Sequence, residues 1–340
     1  MREALLYRKL AGKKVRCGVC QKKCFIADGK IGYCGTRINQ KGRLFSLLYG
    51  RIAGFQIDPI EKKPFYHFKP GSLIASSGSF GCNFRCRQCL NWFESQKTDH
   101  LTFPFQSIPP QEIIDLTLKN HCPGIAFTFN EPVIWLEYVL DIAKLAKKKG
   151  LFTVFVTNGS WTKATIDKLA GLIDAANIDF KGFSEKTYQK QGAFFGEIPE
   201  MAAYAKKKGI FLEITTLLIP DINDNANELA KMTTWIKNNL GPDTPWHLSQ
   251  FDPALAPDPE FKKIPATSIQ QLEKAAVIGQ KAGLNHIYIW AAASGYNQSN
   301  TICPKCKKNV IKRDGWQVEK IDTNKDGSCR FCGYKLNLIL

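Results

Sequence analysis

The chain has 340 residues, 44% of them hydrophobic and 23% charged, which excludes a wholly disordered or collagen-like protein and is enough for one large core with small appendages. Forty-seven Lys and Arg against thirty Asp and Glu leave a formal charge of +17, which points to a polyanionic partner, an acidic protein or an acidic surface. The twelve cysteines are also unusual. No window of about 18 uninterrupted apolar residues occurs, and the first ten residues lack an apolar stretch with a cleavage site. The expectation is a soluble, cytoplasmic chain whose cysteines bind metal rather than pair, because the cytosol keeps thiols reduced.

In chain order, Cys17, Cys20, Cys24 and Cys34 come first and supply four ligands. Four suffice for a closed zinc site or a [4Fe–4S] cluster, and the spacing does not choose between them. Short β-branched or aromatic runs follow at 73–79, 125–129, 152–157, 176–180, 211–218, 246–250 and 286–290, and each reads as a strand. Longer amphipathic stretches alternate with them. At 132–149, Ile134, Tyr138, Ile142 and Leu145 recur at spacings of three and four, and 226–239 is a second helix. The alternation predicts an α/β fold with parallel strands. Six or seven such units are too few for a closed eight-fold barrel and suit a partial barrel or an open doubly wound sheet. In both, chemistry collects at the carboxyl ends of the strands.

Cys82, Cys86 and Cys89 lie just beyond the first strand, in the spacing CxxxCxxC. Structural zinc sites and electron-transfer clusters normally take four protein ligands, so three thiolates leave one metal corner open to a group that is not protein. Cys122, before Pro123, reads as a small buried hydrophobe. Cys303, Cys306, Cys329 and Cys332 form two CxxC pairs, the pattern of a zinc ribbon or a rubredoxin-like site for zinc or a single iron.

These groups divide the chain into a Cys-rich metal-binding module at 1–65, a core at 66–299 and a four-cysteine ribbon at 300–340, with Ser294 and Gly295 marking the second boundary. The ends carry 15 basic against 4 acidic residues and 9 against 4, while the middle carries 23 against 22. The positive charge is therefore evidence about docking rather than about the chemistry of the core.

A CxxxCxxC loop after the first strand of an α/β chain resembles the radical S-adenosylmethionine (SAM) superfamily. That resemblance implies a partial (β/α)6-type barrel and a [4Fe–4S] cluster whose open iron chelates SAM. It also implies one-electron cleavage to a 5′-deoxyadenosyl radical, which abstracts hydrogen from a substrate. It places SAM contacts at the strand ends: Asn130 and Glu131 in Thr128–Pro132, Thr157 and Asn158, Asp179 and Lys181, and His247 in a later strand. No catalytic residue is assigned beyond the cluster. The stretch from Asp58 to Ser72, together with both terminal cysteine groups, resembles more narrowly the radical SAM enzyme of the AmmeMemoRadiSam system, related to pyruvate formate-lyase activating enzymes. This implies a protein substrate, an acidic electron donor such as flavodoxin or ferredoxin, and association with Memo-like and AMMECR-like proteins. A radical SAM RNA-modifying enzyme is the alternative, with the basic ends on phosphates. Two positions depart from the pattern: Gln88 stands where an aromatic residue is usual, and Ala291-Ala292-Ala293-Ser294 stands where a Gly-Asn pair is usual.

Overall fold

The computed structural model describes residues 1–98, 101, 106–291 and 295–340. Its centre is a nine-stranded sheet of β1 (Gly54–Pro59), β2 (Leu73–Gly78), β3 (Gly124–Phe127), β4 (Phe152–Thr157), β5 (Ala175–Asp179), β6 (Phe211–Leu218), β7 (Trp246–Gln250), β8 (Ile287–Ala291) and β9 (Tyr296–Gln298). All seven predicted strands are present, three with identical bounds. Strand order is strictly sequential from β1 to β9. Strands β2 to β8 run parallel, and β1 and β9 close the two edges antiparallel. A sheet without a switch in strand order is wound in one direction, so the doubly wound alternative does not describe it.

Parallel strands are covered on both faces and need apolar residues along their whole length. Thus every residue of β3 is buried, as are the last five of β2. Helices fill the crossovers, among them Leu136–Lys148, Ala226–Leu240 and Ile269–Ala282. The single helix expected at 132–149 is in fact a 3-10 turn at Pro132–Trp135 followed by the α-helix. Pro132 sits where no backbone donor is needed, and the Glu131 side chain caps the turn by accepting from Val133 N.

Two three-stranded sheets lie N-terminal to β1, one of Arg2–Glu3, Arg37–Gln40 and Arg43–Ser46, the other of Tyr7–Lys9, Val15–Cys17 and Phe25–Ile26. A third, of Thr301–Ile302, Asn309–Asp314 and Gln317–Ile321, lies beyond β9. That last sheet is tied to the Asp58–Ser72 stretch by Arg313. Its guanidinium donates to Glu61 at 3.3 Å and to the Tyr66 carbonyl at 2.7 Å. Neither Arg313 nor Glu61 exposes its side chain. Among the described residues no helix is long and apolar enough to cross a membrane. Ala292, Ala293 and Ser294 lie outside the described residues, and with them most of the second departure.

Candidate active site at the strand ends

The loop after β2 carries Cys82, Cys86 and Cys89 and is held from several sides. Gly81 has φ 77°, and a Cβ there would lie 2.5 Å from the Cys34 carbonyl oxygen, so the loop can pass this close to the N-terminal segment only with glycine. Phe84 is buried against the Phe194 ring, with centroids 4.8 Å apart. Arg85 donates to the Tyr33 carbonyl at 2.6 Å. Asn130 braces the loop at two points: its Oδ1 accepts from Ser79 N at 3.1 Å and its Nδ2 donates to Gly81 O at 2.9 Å.

All three thiols line one cavity of about 260 Å³ together with Asn130, Glu131, Thr157, Asn158, Asp179 and Lys181. Six of the seven SAM-contact residues expected from the sequence therefore meet in one place, each from the carboxyl end of β3, β4 or β5. Glu131 is 1% exposed. Its Oε1 accepts from the Thr157 hydroxyl at 2.8 Å and its Oε2 from Asn158 N at 2.8 Å. Burial pushes the Glu131 carboxyl up to about 7, against these hydrogen bonds, which lower it. The Asn158 amide donates to Asn83 Oδ1 at 2.9 Å and lies 3.9 Å from Cys82 Sγ. Lys181 Nζ is 2.6 Å from Asp179 Oδ2. Burial pulls the Lys181 ammonium down, but Asp179 and Cys86 more than offset it and hold it above its ordinary value.

His247 is not brought to this cavity. Its Nε2 is 2.7 Å from Glu213 Oε2, and its ring stacks on Tyr288 with centroids 5.2 Å apart. Glu213 also accepts from the backbone N–H groups of Tyr66, His67 and Phe68. This buried network fastens the segment after β1 to β6 and β7. Asn83, by contrast, is central to the site although it was not singled out. It carries one available signal, its place between the first two cysteines of the loop.

The cavity fits a thiolate-bound iron–sulfur cluster with a polar co-ligand. Burial pushes the Cys86 thiol up to about 12 and raises Cys82 and Cys89, so the bare thiols are protonated at neutral pH and metal binding must displace their protons. Soft thiolates suit iron–sulfur chemistry. Gln88, which donates to Gln191 Oε1 at 2.6 Å, lines the cavity with a buried Oε1 lacking a partner, as does Asp179 with its Oδ1. Both oxygens are available to a bound polar group.

The remaining cysteines fall into two further sets. Sγ atoms of Cys303, Cys306, Cys329 and Cys332 all lie within 4.8 Å of one another, with Cys303–Cys332 at 3.6 Å and Cys306–Cys329 at 3.7 Å. Zn–S bonds of about 2.3 Å in a tetrahedron put sulfurs ~3.8 Å apart, so this set matches a single-metal site. Cys17, Cys20, Cys24 and Cys34 line a common void but do not converge in this way. Cys122 is buried, as a small hydrophobe should be.

Comparison with known proteins agrees with this geometry. The model of the Radical SAM superfamily matches residues 76–233. The chain is 36% identical to an uncharacterized protein of Methanocaldococcus jannaschii over 342 residues, covering all of both chains. It is 24% identical over 160 residues to the pyruvate formate-lyase 1-activating enzyme of Escherichia coli strain K12, spanning 45% of this chain and 65% of that one. Among solved structures, Streptococcus suis SuiB bound to the precursor peptide SuiA matches with a TM-score of 0.49 at 14% identity, covering 68% of this chain and 51% of that one. The three-thiol loop, the strand-end residues gathered around it, the superfamily model and the two sequence relatives lead to one assignment: the chain belongs to the radical SAM superfamily and is a radical SAM enzyme, homologous to pyruvate formate-lyase activating enzymes.

Proposed function

We propose that Cys82, Cys86 and Cys89 ligate three irons of a [4Fe–4S] cluster and that the enzyme acts on a protein, as an activating enzyme does. The observation that carries this reading is the cavity in which three thiols, without a fourth, meet Glu131, Asn158, Asp179 and Lys181. When bound, the cluster with SAM supplies one-electron cleavage of the sulfonium to a 5′-deoxyadenosyl radical that abstracts hydrogen. The chain's own residues bind and orient. Lys181, kept cationic, is suited to a carboxylate, and the buried oxygens of Glu131 and Asp179 are suited to an ammonium. Asn158 positions Cys82 through Asn83. Phe84, with Phe194 against it, covers the thiol loop with apolar surface, which limits water at a low-potential centre.

Homology to the pyruvate formate-lyase activating enzyme supports a protein substrate. The Asp58–Ser72 stretch supports the narrower placement in the AmmeMemoRadiSam system, with Memo-like and AMMECR-like proteins as first candidates for partner. The zinc-ribbon or rubredoxin-like module is a reading of the C-terminal thiols, and the basic ends suit an acidic flavodoxin or ferredoxin. The test is stimulation of 5′-deoxyadenosine formation by cell fractions. A stimulating fraction should keep its effect after ribonuclease and lose it to protease. The reverse sensitivity would replace a protein substrate with RNA.

A further inference from the structure

We propose that the N-terminal module carries the docking face for an acidic one-electron carrier protein, centred on Lys22 and Tyr33 and extending into the neighbouring cleft of Arg8, Arg16, Lys23 and Lys163. The proposal rests on the reading of Cys82, Cys86 and Cys89 as ligands of a reducible cluster, and it says where the electron arrives.

The cysteine loop lies one layer of side chains beneath this face. Phe84 lines the thiol cavity and is buried against the Phe194 ring. Lys22 covers Phe194, with its Nζ 5.6 Å from that ring's centroid and 4.2 Å from the centroid of Tyr33. Arg85, between Cys82 and Cys86, donates to the Cys82 carbonyl at 2.5 Å and to the Tyr33 carbonyl at 2.6 Å. Tyr33 is 43% exposed. A surface residue is thus joined through one side chain to the backbone of a cluster ligand.

The charge of the face selects an acidic partner. Arg8, Arg16, Lys23 and Lys163 line a cleft of about 520 Å³, in which Glu197 is the one carboxylate residue. Consecutive Lys22 and Lys23 join the cleft to the Tyr33 patch. Among the described residues none of these five cations forms an ion pair with a carboxylate. The module's own acids are engaged elsewhere: Glu3 with Arg43, Asp58 with Lys62 and Lys63, Glu61 with Arg313, and Asp28 with the Lys41 backbone N–H. Positive charge left uncompensated in this way steers an acidic protein to the face and orients it there. Phe25, exposed beside Arg16, adds apolar contact surface.

Position separates an electron carrier from a substrate. A substrate must bring a hydrogen-bearing atom into the thiol cavity, which opens beside the exposed Leu90. Neither Arg85 nor Tyr33 lines that cavity. A partner on Tyr33 and Lys22 therefore approaches the loop without filling the cavity, which suits a donor of electrons. The carrier gives one electron to the oxidised cluster and is itself oxidised by one; no bond forms or breaks in this step. Residues 1–65 lie outside the stretch at 76–233 that matches the superfamily model, so the face is built mainly from this chain's own module.

The test measures the affinity of the full chain for oxidised flavodoxin at low and high salt, which needs no loaded cluster. One variant carries Arg8→Glu, Lys22→Glu and Lys163→Glu. A control of equal charge change carries Lys231→Glu, Lys274→Glu and Lys281→Glu on the outer helices. Wild type should bind with an affinity that falls as salt rises, and the face variant should bind at least about tenfold more weakly at low salt while the control stays near wild type. The ratio of flavodoxin-driven to dithionite-driven 5′-deoxyadenosine formation should fall in the face variant by a similar factor. Carbodiimide should also cross-link flavodoxin carboxylates to Lys22, Lys23 or Lys163 of wild type, a result that does not depend on any variant folding. Equal weakening in both variants, cross-links confined to other lysines, or no salt-sensitive binding by wild type overturns the proposal. So does a face variant that loses affinity for bulk tRNA but keeps its flavodoxin-driven ratio, which would make the face an RNA surface. Failure of wild type to cleave SAM with dithionite would instead count against the cluster reading, and the affinities would still decide the docking face.

Discussion

Asn158 donates a hydrogen bond to Asn83 across 2.9 Å, and both residues are buried. One comes from the carboxyl end of β4 and the other from inside the cysteine loop, so the bond sets the loop against the sheet. Asn83 completes the link by donating to the Ser160 hydroxyl at 2.6 Å. Truncation by Asn83→Ala leaves buried partners unpaired on both sides. The expected loss is about 1–3 kcal/mol, read as a lower unfolding midpoint, with weaker retention of iron. An unchanged midpoint and iron content would show that the loop is held by other contacts alone.

Arg313 and Glu61 form a second decisive pair, fully buried between the C-terminal sheet and the segment after β1. Removing one partner of a buried ion pair leaves an uncompensated charge, which typically costs about 3–5 kcal/mol. Arg313→Met should therefore lower stability by that order and expose the C-terminal sheet to protease first. Adding Glu61→Leu should recover part of the loss, because no buried charge then remains. A double variant no more stable than the single one would contradict this account.

Glu131 supplies a pH dependence. Its pKa is raised from an ordinary 4.5 to about 7 in the folded chain, chiefly by burial. The sign follows from linkage. A raised folded-state value makes the group's contribution fully present below about pH 4.5, and that contribution is lost as pH rises through 7. Metal-free Glu131→Gln, which does not titrate, should gain on wild type by roughly 1–3 kcal/mol between pH 5 and pH 8 in urea unfolding. A constant difference across that range would mean that the carboxylate is as well solvated by its hydrogen bonds as in water.

At the C-terminal site, the metal should carry much of the folding energy of a small sheet whose buried core includes Val310, Ile311, Leu336 and Leu338. Cys306→Ser should release one metal ion per chain and make residues beyond 300 sensitive to protease, while the sulfide content stays unchanged. Loss of sulfide in that variant would place a cluster, not a single ion, among these thiols.

Much of this was legible in the sequence, for identifiable reasons. The parallel strands are short runs rich in β-branched and aromatic residues between helical stretches, so β4, β6 and β7 were found with their bounds. Edge strands are less distinct: β1 begins with Gly54 and ends with Pro59, and β9 has three residues, which leaves little pattern to read. The spacing of the cysteines gave all three thiol sets, and the resemblance to the radical SAM superfamily pointed to Asn130, Glu131, Thr157, Asn158, Asp179 and Lys181, which line the cavity with the thiols. The same resemblance pointed to His247, yet its partner is Glu213, 34 residues earlier in the chain. Nothing local in the sequence announces such a pairing. Asn130 shows a further limit, since its position was foreseen but its bracing of the loop depends on backbone groups of Ser79 and Gly81.

The central claim is that Cys82, Cys86 and Cys89 hold the cluster that cleaves SAM. Its most direct test is to supply the anaerobically reconstituted, dithionite-reduced protein with S-adenosylmethionine and quantify 5′-deoxyadenosine. Wild type should form 5′-deoxyadenosine and methionine, and Cys86→Ala should form neither above the protein-free background. Undiminished cleavage by Cys86→Ala, or none by wild type carrying its full complement of iron and sulfide, would contradict the assignment.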